Sequence, residues 1–381
     1  MKAPSDLTPS SQARHRGPRP DVSIFLHDLR CGGAERVCLT LALEMDRAGL
    51  CVEFVLRRAI GELLTELPET IQVHDLDASR VRNALFPLVR YLRLRRPRAV
   101  LAALWPLTSL ALLARRMAGS QGRVVTSDHC ILSQTKPGRS LIMRPPMAAA
   151  MRLFYPAADA VVAVSQGVAD DVARLAGLER DRVRVIFNPI TPLPTPRPCD
   201  EAILSRWAAG GGPRLIAVAN LKAVKDQGTL LRALAVVRQT LDARLLVLGE
   251  GPERSRLEDL ARDLGVADAV TFGGHQPTPH GYISQADVFV MSSRSEGFGN
   301  VIVEALACGV PVVSTDCPAG PGEILDHGRF GRLTPVGEPE ALAGAILEVL
   351  DSPPDPAGLR RRAETFSIEQ AVSAYREALD V

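Results

Sequence analysis

No stretch of this sequence is long and apolar enough to read as a membrane span. The longest, Ala99 to Ala114, is 16 residues and is broken by Pro106, Thr108 and Ser109, against the roughly 20 apolar residues a span needs. It reads instead as strand, turn and helix. An apolar signal core is missing too: Lys2, Arg14, Arg16 and Arg19 have no hydrophobic run beside them, so residues 1–20 are expected to be a disordered tail. The cysteines, at 31, 38, 51, 130, 199, 308 and 317, include no C-x-x-C pair. An odd count without paired spacing argues against a disulfide framework or a structural zinc, and for a reducing compartment. Nor is there an excess of one charge. The net is +2, so bulk charge does not point to nucleic acid. No internal repeat is evident at a period of roughly 20–50 residues.

What is present is a chain able to build a core. With 46% apolar and 23% charged residues, it is neither disordered throughout nor collagen-like nor a small disulfide scaffold. Its 381 residues allow two or three domains. Charge is split between the halves: residues 1–190 are net +9 and residues 191–381 net −7. That asymmetry fits either an anionic partner for the first half or a chance spread of solvated charge.

Short β-rich runs alternate with helical periodicity. V-S-I-F-L (22–26) precedes a Gly-Gly loop (Gly32, Gly33) and a helix in which Val37, Leu41 and Met45 recur at four-residue spacing. Strands follow at 51–56, 98–104, 123–127, 160–165 and 184–187, and Ser165 is placed to cap the helix after its strand. T-P-L-P-T-P-R-P-C-D (191–200) and the glycines at 210–212 read as a stiff linker with no strand or helix of its own. The alternation resumes with strands at 214–219, 244–249, 269–272, 287–291 and 311–315, and with helices near 300–308, 342–350 and 368–379. Strand–helix–strand units predict parallel sheets. Two such domains predict a ligand cleft between them, at the carboxyl ends of the strands.

The strongest chemical signal is S-R-S-E-G-F-G-N-V-I-V-E-A-L-A-C-G-V-P-V-V-S-T-D (293–316). Gly297 and Gly299 flank Phe298 just before an apolar helix. Such a loop lets backbone N–H groups approach an anion, and the helix N-terminus adds partial positive charge. Glu296 and Glu304 stand in an E-x7-E spacing, with Glu304 one turn inside the helix, where its carboxylate can accept hydrogen bonds from ribose hydroxyls.

This stretch resembles the glycosyltransferase family 4 pattern on the GT-B fold. C-G-G-A-E-R-V (31–37), A-V-S-Q (163–166), I-F-N-P-I (186–190), L-G-E-G-P (248–252) and S-T-D-C-P-A-G-P-G-E-I-L (314–325) match in order and spacing, so the resemblance spans about 21–381. It implies an α/β GT-B architecture of two Rossmann-like parallel-sheet domains facing across a cleft. The expected boundaries are an N-terminal acceptor-side domain at 21–190, a Pro/Gly-rich linker at 191–212, a nucleotide-sugar-binding domain at 213–365, and a C-terminal helix, 366–381, crossing back to the first domain.

The resemblance also implies roles. Glu296 would approach the hydroxyls of the donor sugar, and the amides of Phe298 and Gly299, beside Gly297, would hold that sugar. Asn300 and Val301 would hold the diphosphate, Glu304 the ribose, and Gly33 would bring backbone N–H to the β-phosphate. A-N-L-K-A-V-K-D (219–226) is similar to the family's G-R-L-x-x-x-K turn, so Lys225 would neutralise the leaving diphosphate. The usual Arg position holds Asn220, with Lys222 as the nearest replacement. His129, in T-S-D-H-C (126–130), would face the reacting centre, and Asp128 would orient it or face the acceptor.

The implied activity is a retaining, metal-independent hexosyltransferase with no cofactor. It would move a hexosyl or N-acetylhexosaminyl group from a nucleotide-sugar, a UDP-sugar by preference, to a glycan or lipid-linked acceptor in surface-polysaccharide or glycolipid assembly. It would be cytoplasmic, or peripheral on the inner face of the cytoplasmic membrane. A UDP-sugar 2-epimerase on the same fold and a non-catalytic sugar-nucleotide-binding assembly protein are the alternatives, the latter permitted by Asn220. Asp75-Leu76-Asp77 reads as a strand end rather than a metal-holding D-x-D, and His275 and His280 lack a third ligand. Residues 80–98 carry seven arginines among leucines and aromatics, which fits either an amphipathic helix lying on an anionic membrane or a solvated helix face. K-P-G-R-S-L-I-M-R-P-P-M (136–147) is a second basic-apolar segment.

Overall fold

The computed structural model describes residues 18–30, 32–134, 140–190 and 199–381. The first domain runs β1 (Val22–Leu26), α1 (Gly33–Arg47), β2 (Val52–Leu56), β3 (Gln72–Asp75), α2 (Leu85–Arg95), β4 (Ala99–Ala103), α3 (Leu107–Ala118), β5 (Arg123–Asp128), α4 (Ser140–Phe154), β6 (Ala160–Ala163), α5 (Gln166–Ala176) and β7 (Val183–Val185). The second begins with α6 (Glu201–Trp207), β8 (Arg214–Val218), α7 (Gln227–Val237), β9 (Arg244–Leu248), α8 (Arg254–Asp263) and β10 (Val270–Gly274). It continues through α9 (His280–Ile283), β11 (Val288–Met291), α10 (Asn300–Cys308), β12 (Val312–Thr315), α11 (Pro321–Ile324) and β13 (Arg332–Thr334). The chain closes with α12 (Pro339–Asp351), α13 (Pro356–Glu364) and α14 (Ile368–Leu379).

The strands form two parallel sheets, in the orders β3-β2-β1-β4-β5-β6-β7 and β10-β9-β8-β11-β12-β13. Val, Ile, Leu and Ala fill the central strands without polar alternation because both faces are covered by helices. On the first sheet, α1 and α14 bury Leu41, Met45 and Tyr375 against Ile24 and Leu101. Helices α2 to α5 bury Leu92, Leu112, Met151 and Val172 against the opposite side, represented by Phe25 and Val100. That second cluster continues without a break into α10 and α13 of the other domain through Phe298, Ile302 and Leu359. Phe187, Phe298 and Phe366 meet there with ring centroids 5.5–5.6 Å apart. The fold is thus GT-B.

One charged residue sits mid-strand in this apolar frame. Glu53 of β2 is buried, and its carboxylate takes a hydrogen bond from Tyr91 at 2.8 Å and an ion pair from Arg95, both on α2. Arg95 therefore points into the domain, apart from the other arginines of the 80–98 run.

The structure departs from the sequence reading at the chain's punctuation. Residues 1–17 and 191–198 lie outside the described residues, but Pro18 to Pro20 belong to the first domain: Arg19 Nε donates to the Arg96 carbonyl at 2.6 Å. The expected linker, 191–212, contains helix α6. Asp200 caps it by accepting from Ala202 N at 2.8 Å, and Trp207 at its end is 1% exposed and donates to the Leu215 carbonyl at 3.1 Å. The second half of that segment is therefore part of the second domain's core. The Pro-rich break near 353–356 is a helix start, with Pro356 in the first turn and Asp355 accepting from Ala357 N and Gly358 N. Strand β13 has three residues, too few for a sequence pattern. The last helix returns to the first domain, where Ile190 N donates to the Phe366 carbonyl at 2.9 Å and α14 packs on α1.

Trp207→Ala should lower the stability of the second domain by about 3–5 kcal/mol, the range for emptying a buried aromatic site. Urea unfolding followed by circular dichroism measures it. A loss below about 1 kcal/mol would mean that 199–212 is only a tether.

Candidate functional site

Both sheets present the carboxyl ends of their strands to one cleft. Each contributes most at the point where its strand order reverses, between β1 and β4 and between β8 and β11. The cleft encloses a cavity of about 430 Å³, within the roughly 300–1,000 Å³ usual for small-molecule sites. Its first-domain wall is Gly32, Gly33, Arg36, Leu104, His129 and Asn188. Its second-domain wall includes Asn220, Lys225, Gly249, Gln276 and the segment from Glu296 to Val301, with Glu304 beyond it.

Two helices aim their N-termini into this space. Helix α1 starts at Gly33 and α10 at Asn300, and a Cβ on Gly33 would stand 3.7 Å from the side-chain Nδ2 of Asn300. Neither helix has a side-chain cap; the N-cap residues are Gly32 and Gly299. The positive dipole end of α10 is therefore open to an anion, and that of α1 is covered only by a residue of its own first turn. The Glu35 carboxylate folds back over Gly32, with its pKa raised, first by burial. An anionic ligand at α1 would compete with it.

The glycines ahead of α10 have separate duties. At Gly297, a Cβ would lie 1.9 Å from the His129 carbonyl oxygen, so only glycine permits this approach of the two domains. Gly299 has φ 101°, a left-handed value that starts α10 without strain. Ser165 Oγ donates to the Gly297 carbonyl at 2.7 Å while accepting from Val168 N at the head of α5. Asn188 Nδ2 donates to Asn300 Oδ1 at 2.9 Å. The Glu323 carboxylate accepts from Gln166 N and Gly167 N at 2.8 and 3.3 Å, capping a first-domain helix from the second domain.

The charged groups form a small circuit. Lys225 Nζ lies 2.5 Å from Glu296 Oε1, which also accepts from Ser293 Oγ at 2.6 Å. Glu296 is thereby held against Lys225 at the cavity wall. Arg36, in the first turn of α1, is the other arginine or lysine lining the cavity; it pairs with Glu66 at 2.6 Å. Glu304 is pushed up to about 7 by burial, opposed by the Arg36 charge. Its Oε2 lies 3.5 Å from His280 Nε2, and burial lowers the pKa of that imidazole.

His129 is lowered to about 4 by burial, so it is neutral at physiological pH. Its Nε2 is 3.0 Å from Ser127 Oγ, which is 2.8 Å from Tyr375 OH on α14. The last helix of the chain thus fixes the imidazole through Ser127, and Nδ1 has no partner among the described residues. Asp128 does not orient His129. It is buried, pushed up to about 7 by that burial, and takes the Tyr155 hydroxyl at 3.0–3.1 Å instead.

Of the site residues expected from the sequence, the cavity gathers Gly33, His129, Asn220, Lys225, the segment from Glu296 to Val301 and Glu304, but neither Lys222 nor Asp128. Lys222 is exposed and off the cavity wall, and its charge acts on Glu35. The second cation of the site is Arg36, which stands in G-G-A-E-R yet was not read as a site residue. Asn188, in I-F-N-P-I, was passed over in the same way. The two histidines set aside as metal ligands belong to the site in another capacity: His275 lines the cavity and His280 faces Glu304. Asp75 and Asp77 lie outside it, and among the described residues no group of three metal-ligating side chains occurs.

Family models match both halves of the chain: one described as Glycosyltransferase Family 4 over residues 31–192, the other as Glycosyl transferases group 1 over residues 212–352. The N-acetylgalactosamine-N,N'-diacetylbacillosaminyl-diphospho-undecaprenol 4-alpha-N-acetylgalactosaminyltransferase of Campylobacter jejuni is 26% identical, over 90% of this chain and 94% of its own. The lipopolysaccharide core biosynthesis glycosyltransferase LpsE of Rhizobium meliloti is 34% identical, over 59% of this chain and 65% of its own. Among solved structures, Anabaena HepE in complex with UDP-glucose superposes with a TM-score of 0.79 at 23% identity, covering 94% of this chain and 99% of that one. That last likeness is one of fold.

A carboxyl with a raised pKa makes the folded state bind more protons than the unfolded chain between about 4.5 and 7, so stability falls as pH rises through that window. Glu304→Gln should remove its share of the fall. At about pH 8 the variant gains on the order of 1–3 kcal/mol relative to wild type, and at about pH 5 the difference shrinks. Thermal unfolding at the two pH values decides it; equal shifts at both would mean that Glu304 titrates normally.

Proposed function

The chain belongs to glycosyltransferase family 4, and we propose that it transfers a hexosyl or N-acetylhexosaminyl group from a UDP-sugar to a lipid-linked saccharide, with retention and without a metal. The observation that carries this reading is the pair of uncapped helix N-termini, α1 and α10, facing each other across the cavity. A nucleoside diphosphate fits between them: two phosphates meet first-turn N–H groups from opposite domains, with Glu35 displaced at α1. The relatives support the acceptor class. The Campylobacter jejuni protein is named for an undecaprenol-diphosphate substrate and the Rhizobium meliloti protein for lipopolysaccharide core biosynthesis. The HepE structure, in which UDP-glucose is bound, supports the donor.

In this reading the diphosphate leaves as an anion, and the site stabilises it electrostatically. Lys225 and Arg36 supply two positive charges from opposite domains, in the manner of a metal clamp. Lys225 meanwhile holds Glu296 toward the sugar hydroxyls, so one ion pair links leaving-group stabilisation to sugar positioning. The neutral His129 offers a hydrogen bond at the reacting centre, not a charge. Glu304 accepts from the ribose. Acceptor attack on the face that the diphosphate leaves retains the anomeric configuration, and holding the reactants in that geometry is the rest of the catalytic work.

Calorimetry with UDP-, GDP- and ADP-sugars, with and without EDTA, tests the donor site. Saturable binding of the UDP class, unchanged by EDTA and abolished in Glu304→Ala, is expected. Binding should strengthen as pH rises through about 7, because the ionised Glu304 is the better acceptor. Lys225→Ala should lower kcat by about 10²–10³, the usual cost of removing one electrostatic stabiliser of a departing anion. Arg36→Ala should weaken UDP binding about 10-fold or more, the loss of one charge-assisted hydrogen bond. No nucleotide binding at all, or an epimerised free sugar released without acceptor, would overturn the assignment.

A further inference from the structure

Between Asp77 and Asp159 the sequence holds fourteen Lys and Arg but a single carboxylate, Asp128, and that one is buried. The structure puts the helices of this stretch on one side of the first domain. Helices α2, α3 and the described part of α4 all cover the same face of the seven-stranded sheet, with α2 packed on α3 and α3 on α4. Arg82, Arg90, Arg93, Arg96, Arg116 and Arg152 are exposed there. None of them makes an ion pair among the described residues. By contrast, Arg95, Arg98 and Arg115 are neutralised by Glu53, Asp21 and Asp159.

The same face carries most of the molecule's exposed large apolar side chains. Of six among the described residues, four are Phe86, Leu94, Met117 and Leu153, at 71%, 70%, 38% and 71% exposure. Phe86, Arg90, Arg93 and Leu94 fall at i, i+4, i+7 and i+8, one outward stripe of α2. Water-exposed rings and aliphatic chains set among unpaired guanidinium groups suit a surface that is anionic at the headgroup level and apolar just beneath. A polyanion such as nucleic acid would use the arginines but leave Phe86, Leu94 and Leu153 in water.

We propose that the outer face of α2, α3 and α4 is a docking surface for an anionic lipid bilayer. It rests on the proposed function only in its purpose, which is to hold the first domain beside a lipid-linked acceptor. The helices run antiparallel to the strands, so their N-terminal ends lie on the cleft edge and Leu94, Met117 and Leu153 lie toward the far edge. The face thus seats along its length, with the cleft opening at its side. No helix of the described residues is long enough to cross the membrane; attachment is interfacial and reversible.

The test is co-sedimentation of the full chain with phosphatidylcholine vesicles, with and without phosphatidylglycerol, at low and high salt. Binding to the anionic vesicles, lost in high salt and absent on phosphatidylcholine alone, is expected. Arg90→Gln, Arg93→Gln and Arg116→Gln should each weaken it about fivefold, the effect of one basic residue near an anionic surface. Phe86→Ala with Leu94→Ala should weaken it further while leaving affinity for a DNA duplex unchanged. UDP calorimetry on the same variants reports folding and the donor site separately. Wild-type nucleotide binding with no vesicle binding would overturn the docking surface and leave the transferase reading standing. Vesicle binding without nucleotide binding would do the reverse. Duplex DNA captured as tightly as vesicles, with Phe86 and Leu94 irrelevant to both, would also overturn it.

Discussion

The site depends on how closely two backbones approach. Gly297 comes so near the His129 carbonyl that a single methyl group would not fit. This contact joins the loop ahead of α10 in one domain to the end of β5 in the other. With it in place, the N-termini of α1 and α10 share one space, and Glu296 and Lys225 stand opposite His129. Ser165, Asn188 and Glu323 hold the same seam with hydrogen bonds to backbone and side chains across it. The aromatic trio of Phe187, Phe298 and Phe366 excludes water behind it.

The electrostatics follow from that enclosure. Burial pushes Glu304 and Asp128 up to about 7 and His129 down to about 4. The same low-polarity surroundings strengthen any contact an anion makes with Lys225 or the helix ends. The two glutamates differ in their partners: Glu296 has Lys225 and Ser293, whereas Glu304 has a guanidinium at a distance and an imidazole whose pKa burial lowers.

Much of this was legible in the residues. The β–α alternation, the Gly-Phe-Gly loop before an apolar helix and the E-x7-E spacing are local signals, and each occupies the place its pattern implied. Helix α6 was not legible, because four prolines and a glycine cluster surround a seven-residue helix whose one strong anchor, Trp207, shows its burial only in three dimensions. Helix α13 had a signal, Asp355-Pro356, that reads as a break unless the proline is taken as a first-turn residue. Arg36 and His280 escaped for a different reason. Their roles arise from neighbours tens or hundreds of residues away; Arg36 stands in the G-G-A-E-R motif, but nothing local to either residue points its side chain at the cavity. Of the two readings of Asp128, the pairing with His129 fails: adjacency in sequence suggested it, whereas a strand turns successive side chains to opposite faces and Tyr155 is the partner.

The seam at Gly297 also bears on ancestry and engineering. Each half looks like a self-contained nucleotide-fold module, and such modules invite recombination. Here the second half brings the loop, and the first half brings Ser165, Asn188 and the carbonyl it must rest against. A hybrid joining residues 21–190 to a relative's second half would inherit mismatched sides of one contact unless both were carried together. The cleft in this architecture is therefore transmitted as a matched pair of surfaces, not as a detachable cassette.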